Sequence, residues 1–177
     1  MVAFVEQRRS LVPLFQNALA RGELQMRIMH GDPKINNIMI DDYTGKGTAI
    51  IDLDTVSPGL FHFDFGDAIR SICNPAGEEE PDLTKVVFSL ELCKVFSKGY
   101  MKHAAEFLTE AERNYLFDSI RLITFELGLR FYEDYLAGSI YFKTQYPEQN
   151  LNRARVQFRL CESIEDNEQA MRKLFCA

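Results

Sequence analysis

Apolar positions along this chain follow two different periods, and the change of period divides it. Residues 2–20 read as a helical segment closed at Gly22, with Pro13 kinking or restarting it. Residues 26–29 form a short apolar run. The runs Ile38-Met39-Ile40 and Thr48-Ala49-Ile50-Ile51 then read as β-strands, and the Asp- and Gly-rich stretch 41–47 between them has turn chemistry, so a hairpin is expected. Beyond it the pattern is helical: a short helix over 64–73, a polar turn over 74–81, and a helix from about Leu83 to His103. Thr109 and Glu112 form a capping box that predicts the start of a long helix running to Ala137 and stopped at Gly138. A final helix begins near Asn150 or Asn152, with Leu151, Ala154, Phe158, Cys161, Met171 and Leu174 at helical spacing. The expected class is α+β, mostly helical, over a single domain of 177 residues.

The hairpin makes a geometric prediction. If Ile40 pairs with Thr48 or Ala49, Ile38 lies opposite Ile50 or Ile51, and Asn37 and Asp52 emerge side by side at the open end. Two oxygen-bearing side chains distant in sequence would then meet beside Asp32.

Composition narrows the function classes. Hydrophobic residues at 46% and aromatics at 12% argue for a packed core. Net charge is -6, and no basic cluster is interleaved with aromatics, so nucleic-acid binding is not expected. Cys73, Cys93, Cys161 and Cys176 are far apart without a C-x-x-C pair, which fits reduced thiols in a cytoplasmic protein better than structural zinc. Glu6, Arg8 and Arg9 interrupt any signal-peptide core, and no run approaches a membrane span.

Candidate chemistry concentrates in His30-Gly31-Asp32-Pro33-Lys34-Ile35-Asn36-Asn37 and in Ile51-Asp52-Leu53-Asp54. The spacing H-x-D-x-x-x-x-N is that of a phosphoryl-transfer catalytic loop. Asp32 is the expected base towards an acceptor hydroxyl, and Lys34 the cation near the transferred phosphoryl group. Asn37 and Asp52 are the expected Mg²⁺ ligands, with Asp54 ranked second. His30 is read as structural, its ring bonded to loop backbone. Asp64-Phe65-Gly66 spells a kinase metal motif, but it lies beyond the hairpin and cannot face Asn37. Asp64 and Asp67 are therefore read as helix-start and structural carboxylates.

The strings H-G-D-P-K-I-N-N-I-M-I, I-I-D-L-D-T-V-S-P-G and D-F-G-D-A-I-R-S resemble the aminoglycoside phosphotransferase and choline kinase superfamily. Together with F-E-L-G-L-R-F-Y-E-D-Y-L at 125–136, they are most similar to the N-acetylhexosamine 1-kinases. The resemblance implies a protein-kinase-like fold, with ATP as co-substrate, Mg²⁺ as cofactor, and an amino sugar phosphorylated at its anomeric hydroxyl. It supports the roles given to Asp32, Lys34, Asn37 and Asp52, and it adds Arg130 and Tyr141 as sugar contacts. From the residues alone, Arg130 reads equally as an i,i+4 partner of Glu126 and Asp134, and Tyr141 as ordinary packing.

Only twenty-nine residues precede His30, and they hold no Gly-rich loop and no V-A-I-K-like strand. The chain is thus expected to correspond to the C-terminal lobe alone, without the N-terminal nucleotide-binding lobe. Weak or absent ATP affinity and turnover in isolation are expected, as is a partly apolar face that invites self-association or partner capture. Two rival readings stand beside this one. The first is a kinase of another small alcohol, such as choline, homoserine, an aminoglycoside or a different sugar. The second is a truncated, non-catalytic interaction module.

Overall fold

In the computed structural model, which describes residues 1–175, the long helix α6 (Leu116–Leu136) is packed between α3 (Phe61–Ile72) and α7 (Gln149–Asp166). Two glycines permit this closeness. A Cβ on Gly66 of α3 would lie 2.7 Å from the Ser119 carbonyl oxygen, and one on Gly128 of α6 would lie 2.6 Å from the Phe158 ring of α7. Phe65, Ile69, Phe117, Ile120, Leu160 and Ile164 fill the resulting core and are essentially solvent-free. Each such side chain contributes roughly 1.5–3 kcal/mol over its exposed state. Helices α4 (Leu90–Ala104) and α8 (Glu168–Phe175) close the far side of this core.

The first residues fold onto the same frame. Helix α1 (Val2–Gln7) sets Phe4 against Phe158 at 4.8 Å, and Arg8 pairs with Glu165 of α7 at 2.5 Å. Pro13 restarts the chain as α2 (Leu14–Ala20), whose Phe15 and Ala18 pack with Leu24 and Leu60.

Two small antiparallel sheets follow. Strand β1 (Arg27–Met29) pairs with β4 (Ser57–Gly59), and β2 (Ile38–Ile40) pairs with β3 (Gly47–Ile50). The hairpin register is Ile38 with Ile50 and Met39 with Ala49, as expected at the open end. At the turn end Ile40 pairs with Gly47, not with Thr48 or Ala49, because an irregularity between Met39 and Ile40 absorbs one residue. The pairing of β1 with Ser57–Gly59 is not part of the sequence expectation. Proline is tolerated because this strand is an edge, and Gly59 leaves room for the Met29 side chain.

Four helix boundaries differ from the sequence expectation. Helix α3 starts at Phe61 rather than Asp64. Helix α4 starts at Leu90, where Ser89 caps it, rather than at Leu83, and Val86 and Phe88 enter the core from an irregular segment. The capping box forms, but on the short α5 (Glu110–Asn114), and Tyr115 separates it from α6. The final helix is two, broken at Asn167. Cys73, Cys93 and Cys161 are free and buried, whereas Cys176 lies outside the described residues. Among the described residues, no helix is long and apolar enough to cross a membrane.

Candidate active site

The loop after β1 is anchored from three directions. Arg27 of β1 donates to both oxygens of Glu112, at 3.1 and 3.0 Å, and Glu112 is itself fully buried in the capping box of α5. Burial pushes the Glu112 carboxyl up, but the bonds from Arg27 and Thr109 outweigh it and hold the group below its ordinary value. Asp64, in the first turn of α3, then accepts the amide hydrogens of His30 at 2.6 Å and Gly31 at 2.9 Å. Thr55 completes the anchoring by donating its hydroxyl to the His30 carbonyl at 2.7 Å. Gly31 has φ 87, and a Cβ there would lie 2.9 Å from the Thr55 carbonyl oxygen, so only glycine fits.

His30 links the two halves of the candidate site. Its Nδ1 accepts the Asp32 amide hydrogen at 3.2 Å, and its Nε2 faces the Ile51 carbonyl at 3.0 Å. Those partners require a neutral ring with the proton on Nε2. The Asn37 carbonyl accepts the Ile51 amide at 2.9 Å, extending the hairpin ladder to the position before Asp52. Asn37 and Asp52 therefore leave the sheet together.

Side-chain geometry around Asp32 is specific. Lys34 Nζ donates to Asp32 Oδ2 at 2.5 Å, and Asn37 Nδ2 donates to the Asp32 carbonyl at 2.8 Å and to Oδ2 at 3.2 Å. The bond to Asp32 raises the Lys34 ammonium above its ordinary pKa, with further contributions from Asp52 and Asp67. Asp52 adopts the left-handed conformation (φ 66, ψ 57), which Asp tolerates better than most residues. Its exposed carboxylate makes no hydrogen bond or ion pair among the described residues.

These donors fit a hard divalent cation. Asn37 directs its amide hydrogens at Asp32, which leaves its carbonyl oxygen available, and the Asp52 carboxylate is uncommitted. Among the described residues, no group of three or more His, Cys, Asp or Glu could hold a metal. A two-ligand arrangement is what Mg²⁺ takes when water and phosphate oxygens complete its shell. Asp54 sits in the 3-10 turn after Asp52 and is exposed.

Asp32 and Lys34 line a cleft of about 590 Å³ together with Arg130, Phe131 and Phe142. Arg130 is thus brought to the same cleft as Asp32. Tyr141 is not. It lines a neighbouring depression with Arg130 and Phe142, is 73% exposed, and has its ring centroid 5.7 Å from the Arg130 guanidinium carbon. Arg130 forms no ion pair with Glu126 or Asp134 among the described residues, so helix-face pairing does not account for it.

Several cleft residues have partners that only the tertiary structure supplies. Asp67, expected as a structural carboxylate, bonds Arg70 at 2.8 Å, and Arg70 reaches Glu78 at 2.6 Å, so Asp67 is tied into a chain of charges lining the cleft. Arg153 pairs with Glu79 and holds the Lys143 carbonyl at 3.2 Å. The D-F-G-D-A-I-R-S string carried the signal, since Asp64, Gly66, Asp67 and Arg70 each have a separate structural task. Asp134, read from the sequence only as a helix-face partner of Arg130, has a different task beside the neighbouring depression. It is buried and accepts the amides of Ile140, Tyr141 and Phe142 at 2.9, 2.7 and 3.0 Å, together with the Asn150 side chain at 2.8 Å.

A carboxylate paired with a lysine and braced by Asn37, with the Asp52 carboxylate uncommitted at the open end of the hairpin, is the equipment of a phosphoryl-transfer loop. Residues 4–85 match the model of the phosphotransferase enzyme family. The match covers just under half of the chain and contains Asp32, Lys34, Asn37 and Asp52, while Arg130 and Tyr141 lie beyond it. It supports a relationship to the aminoglycoside phosphotransferase superfamily and suggests a small-molecule phosphotransferase of kinase type.

Proposed function

We propose that this chain is the catalytic-loop lobe of a small-molecule kinase, transferring the γ-phosphate of ATP to a sugar hydroxyl. The acceptor fitting the resemblance best is the anomeric hydroxyl of an N-acetylhexosamine. The observation that carries the reading is the position of Asp32. Its carboxylate is braced by Lys34 and Asn37 and stays partly exposed in a cleft that Arg130 also lines.

In this mechanism the acceptor hydroxyl donates its hydrogen bond to Asp32, which orients the oxygen and takes the proton as the new O–P bond forms and the bond to the ADP oxygen breaks. Lys34 offsets negative charge gathering on the phosphoryl oxygens, and Asn37 keeps the Asp32 carboxylate aimed. Asn37 and Asp52 are the residues that would hold Mg²⁺, which when bound neutralises phosphate charge. Arg130 contacts the sugar, and Tyr141 reaches it from the neighbouring depression.

Among the described residues, no multi-stranded sheet precedes the loop; residues 1–29 form α1, α2 and β1. The hairpin nevertheless exposes Met39, Ile40, Ile50 and Ile51. In this reading that apolar face packs against a nucleotide-covering lobe, or else drives self-association.

The test is ATP-dependent phosphorylation of a panel of N-acetylhexosamines, other sugars, choline and homoserine, with Asp32→Asn as the control. Transfer to an N-acetylhexosamine that falls roughly 10²–10⁴-fold in the variant supports the reading. Transfer confined to non-sugar alcohols, or no Asp32-dependent transfer to any acceptor, overturns it.

A further inference from the structure

We infer that Glu126, one helical turn before Arg130 on α6, is a specificity-determining residue that reads two neighbouring hydroxyls of the acceptor together with Arg130. This rests on the sugar-kinase reading above and names how that site recognises its substrate.

The two side chains line the cleft that holds Asp32. Most other charged side chains of that cleft are committed. Asp32 is bonded to Lys34, Asp64 to two backbone amides, Asp67 and Glu78 to Arg70, and Arg153 to Glu79. Glu126 and Arg130, like Lys143, have no hydrogen bond or ion pair from their side chains among the described residues. That is unusual for Glu and Arg at i and i+4 in the favourable order, which ordinarily attract each other. Asp134 offers Arg130 no alternative, because its two oxygens serve three amides and Asn150. Arg130 instead lies 5.7 and 5.5 Å from the ring centroids of Tyr141 and Phe142, where its donors remain available.

An acceptor-only carboxylate beside a donor-only guanidinium suits a particular ligand. Each hydroxyl of a vicinal pair is both donor and acceptor, so Glu126 takes the O–H hydrogens while Arg130 donates to the oxygens. Phe131 and Phe142, with centroids 4.6 Å apart, supply an apolar wall for the C–H face of a ring.

Calorimetric titration of the full chain tests this without requiring turnover. The ligands are N-acetylglucosamine, N-acetylgalactosamine and their 3-deoxy and 4-deoxy analogues; the proteins are wild type, Glu126→Gln and Glu126→Ala. Glu126 is exposed, and thermal melting verifies that both variants fold. The expected result is sugar affinity weakened roughly tenfold to a hundredfold in the variants, with one deoxy analogue losing as much in wild type and nothing further in Glu126→Ala. Unchanged sugar affinity in both variants overturns the role of Glu126 and leaves the sugar reading standing. Wild-type chain that binds no N-acetylhexosamine overturns both.

Discussion

His30 and Ile51 are joined through the imidazole Nε2, which donates to the Ile51 carbonyl at 3.0 Å, while Nδ1 of the same ring accepts the Asp32 amide hydrogen. One neutral ring thereby sets the distance between the proposed base and the segment carrying the proposed metal ligand Asp52. Replacing His30 with Ala removes both bonds. A stability loss of about 1–3 kcal/mol in urea unfolding is expected and, on the proposed kinase reading, loss of whatever Mg-ATP-dependent rise in melting temperature the wild type shows. Retention of that ATP-dependent rise in His30→Ala would show that the ring is dispensable for the site.

Lys34 and Asp32 form the tightest polar contact of the loop, at 2.5 Å. Lys34→Met should lower Asp32-dependent transfer roughly 10²–10³-fold, the scale for losing one electrostatic partner of a transition state. Melting temperature should change little, because both side chains are partly exposed. Rate measurements on Lys34→Arg should show partial recovery, since charge returns with a different donor geometry.

Gly66 and Gly128 both admit a neighbouring helix, but not against the same kind of atom. Gly66→Ala meets the backbone of Ser119 at 2.7 Å, whereas Gly128→Ala meets the Phe158 ring at 2.6 Å. A ring can rotate or shift more readily than a helix backbone. Gly66→Ala should therefore cost about 2–3 kcal/mol in chemical denaturation, and Gly128→Ala less. The reverse order would mean that α3 moves on α6 more easily than Phe158 repacks.

His62 is buried and bonded only through Nε2, to the Glu112 carbonyl at 2.9 Å; its Nδ1 has no partner. Burial lowers its pKa from 6.5 to about 4, so between those values the unfolded chain binds more protons than the folded one. Its contribution is fully present above pH 6.5 and is lost as pH falls towards 4, on the order of 3 kcal/mol in all. Urea midpoints measured across this window should show a steeper decline for wild type than for His62→Gln. Parallel profiles would assign the acid sensitivity to the carboxylates instead.

Asp134 holds the loop that carries Tyr141, Phe142 and Lys143. The Tyr141 amide is the largest influence keeping its carboxyl below the usual range, with the Phe142 and Ile140 amides adding to it against burial. Asp134→Ala should raise the hydrogen-exchange rates of the 140–142 amides selectively, leaving α6 and α7 protected. Uniform exchange throughout α6 would mean that Asp134 supports the helix rather than the loop.

Local chemistry made much of this protein legible from its residues. The H-x-D-x-x-x-x-N spacing, the hairpin register at Ile38 and Ile50, and the capping box of Thr109 and Glu112 are each specified within about fifteen residues of chain, where steric and hydrogen-bonding rules act directly. The same locality explains why the long helix was placed correctly at its end and misplaced at its start. Its cap belongs to a separate short helix, and nothing in the pattern announces the break at Tyr115. Tertiary structure alone decided which distant side chains meet. The pairing of β1 with β4, the clamp of Asp64 on His30 and Gly31, and the arrival of Arg130 but not Tyr141 in the cleft of Asp32 all depend on α3, α6 and α7 packing at glycine-permitted distances. Such contacts come from burial and shape across long loops, and hydrophobic periodicity carries the face of each helix but not its partner.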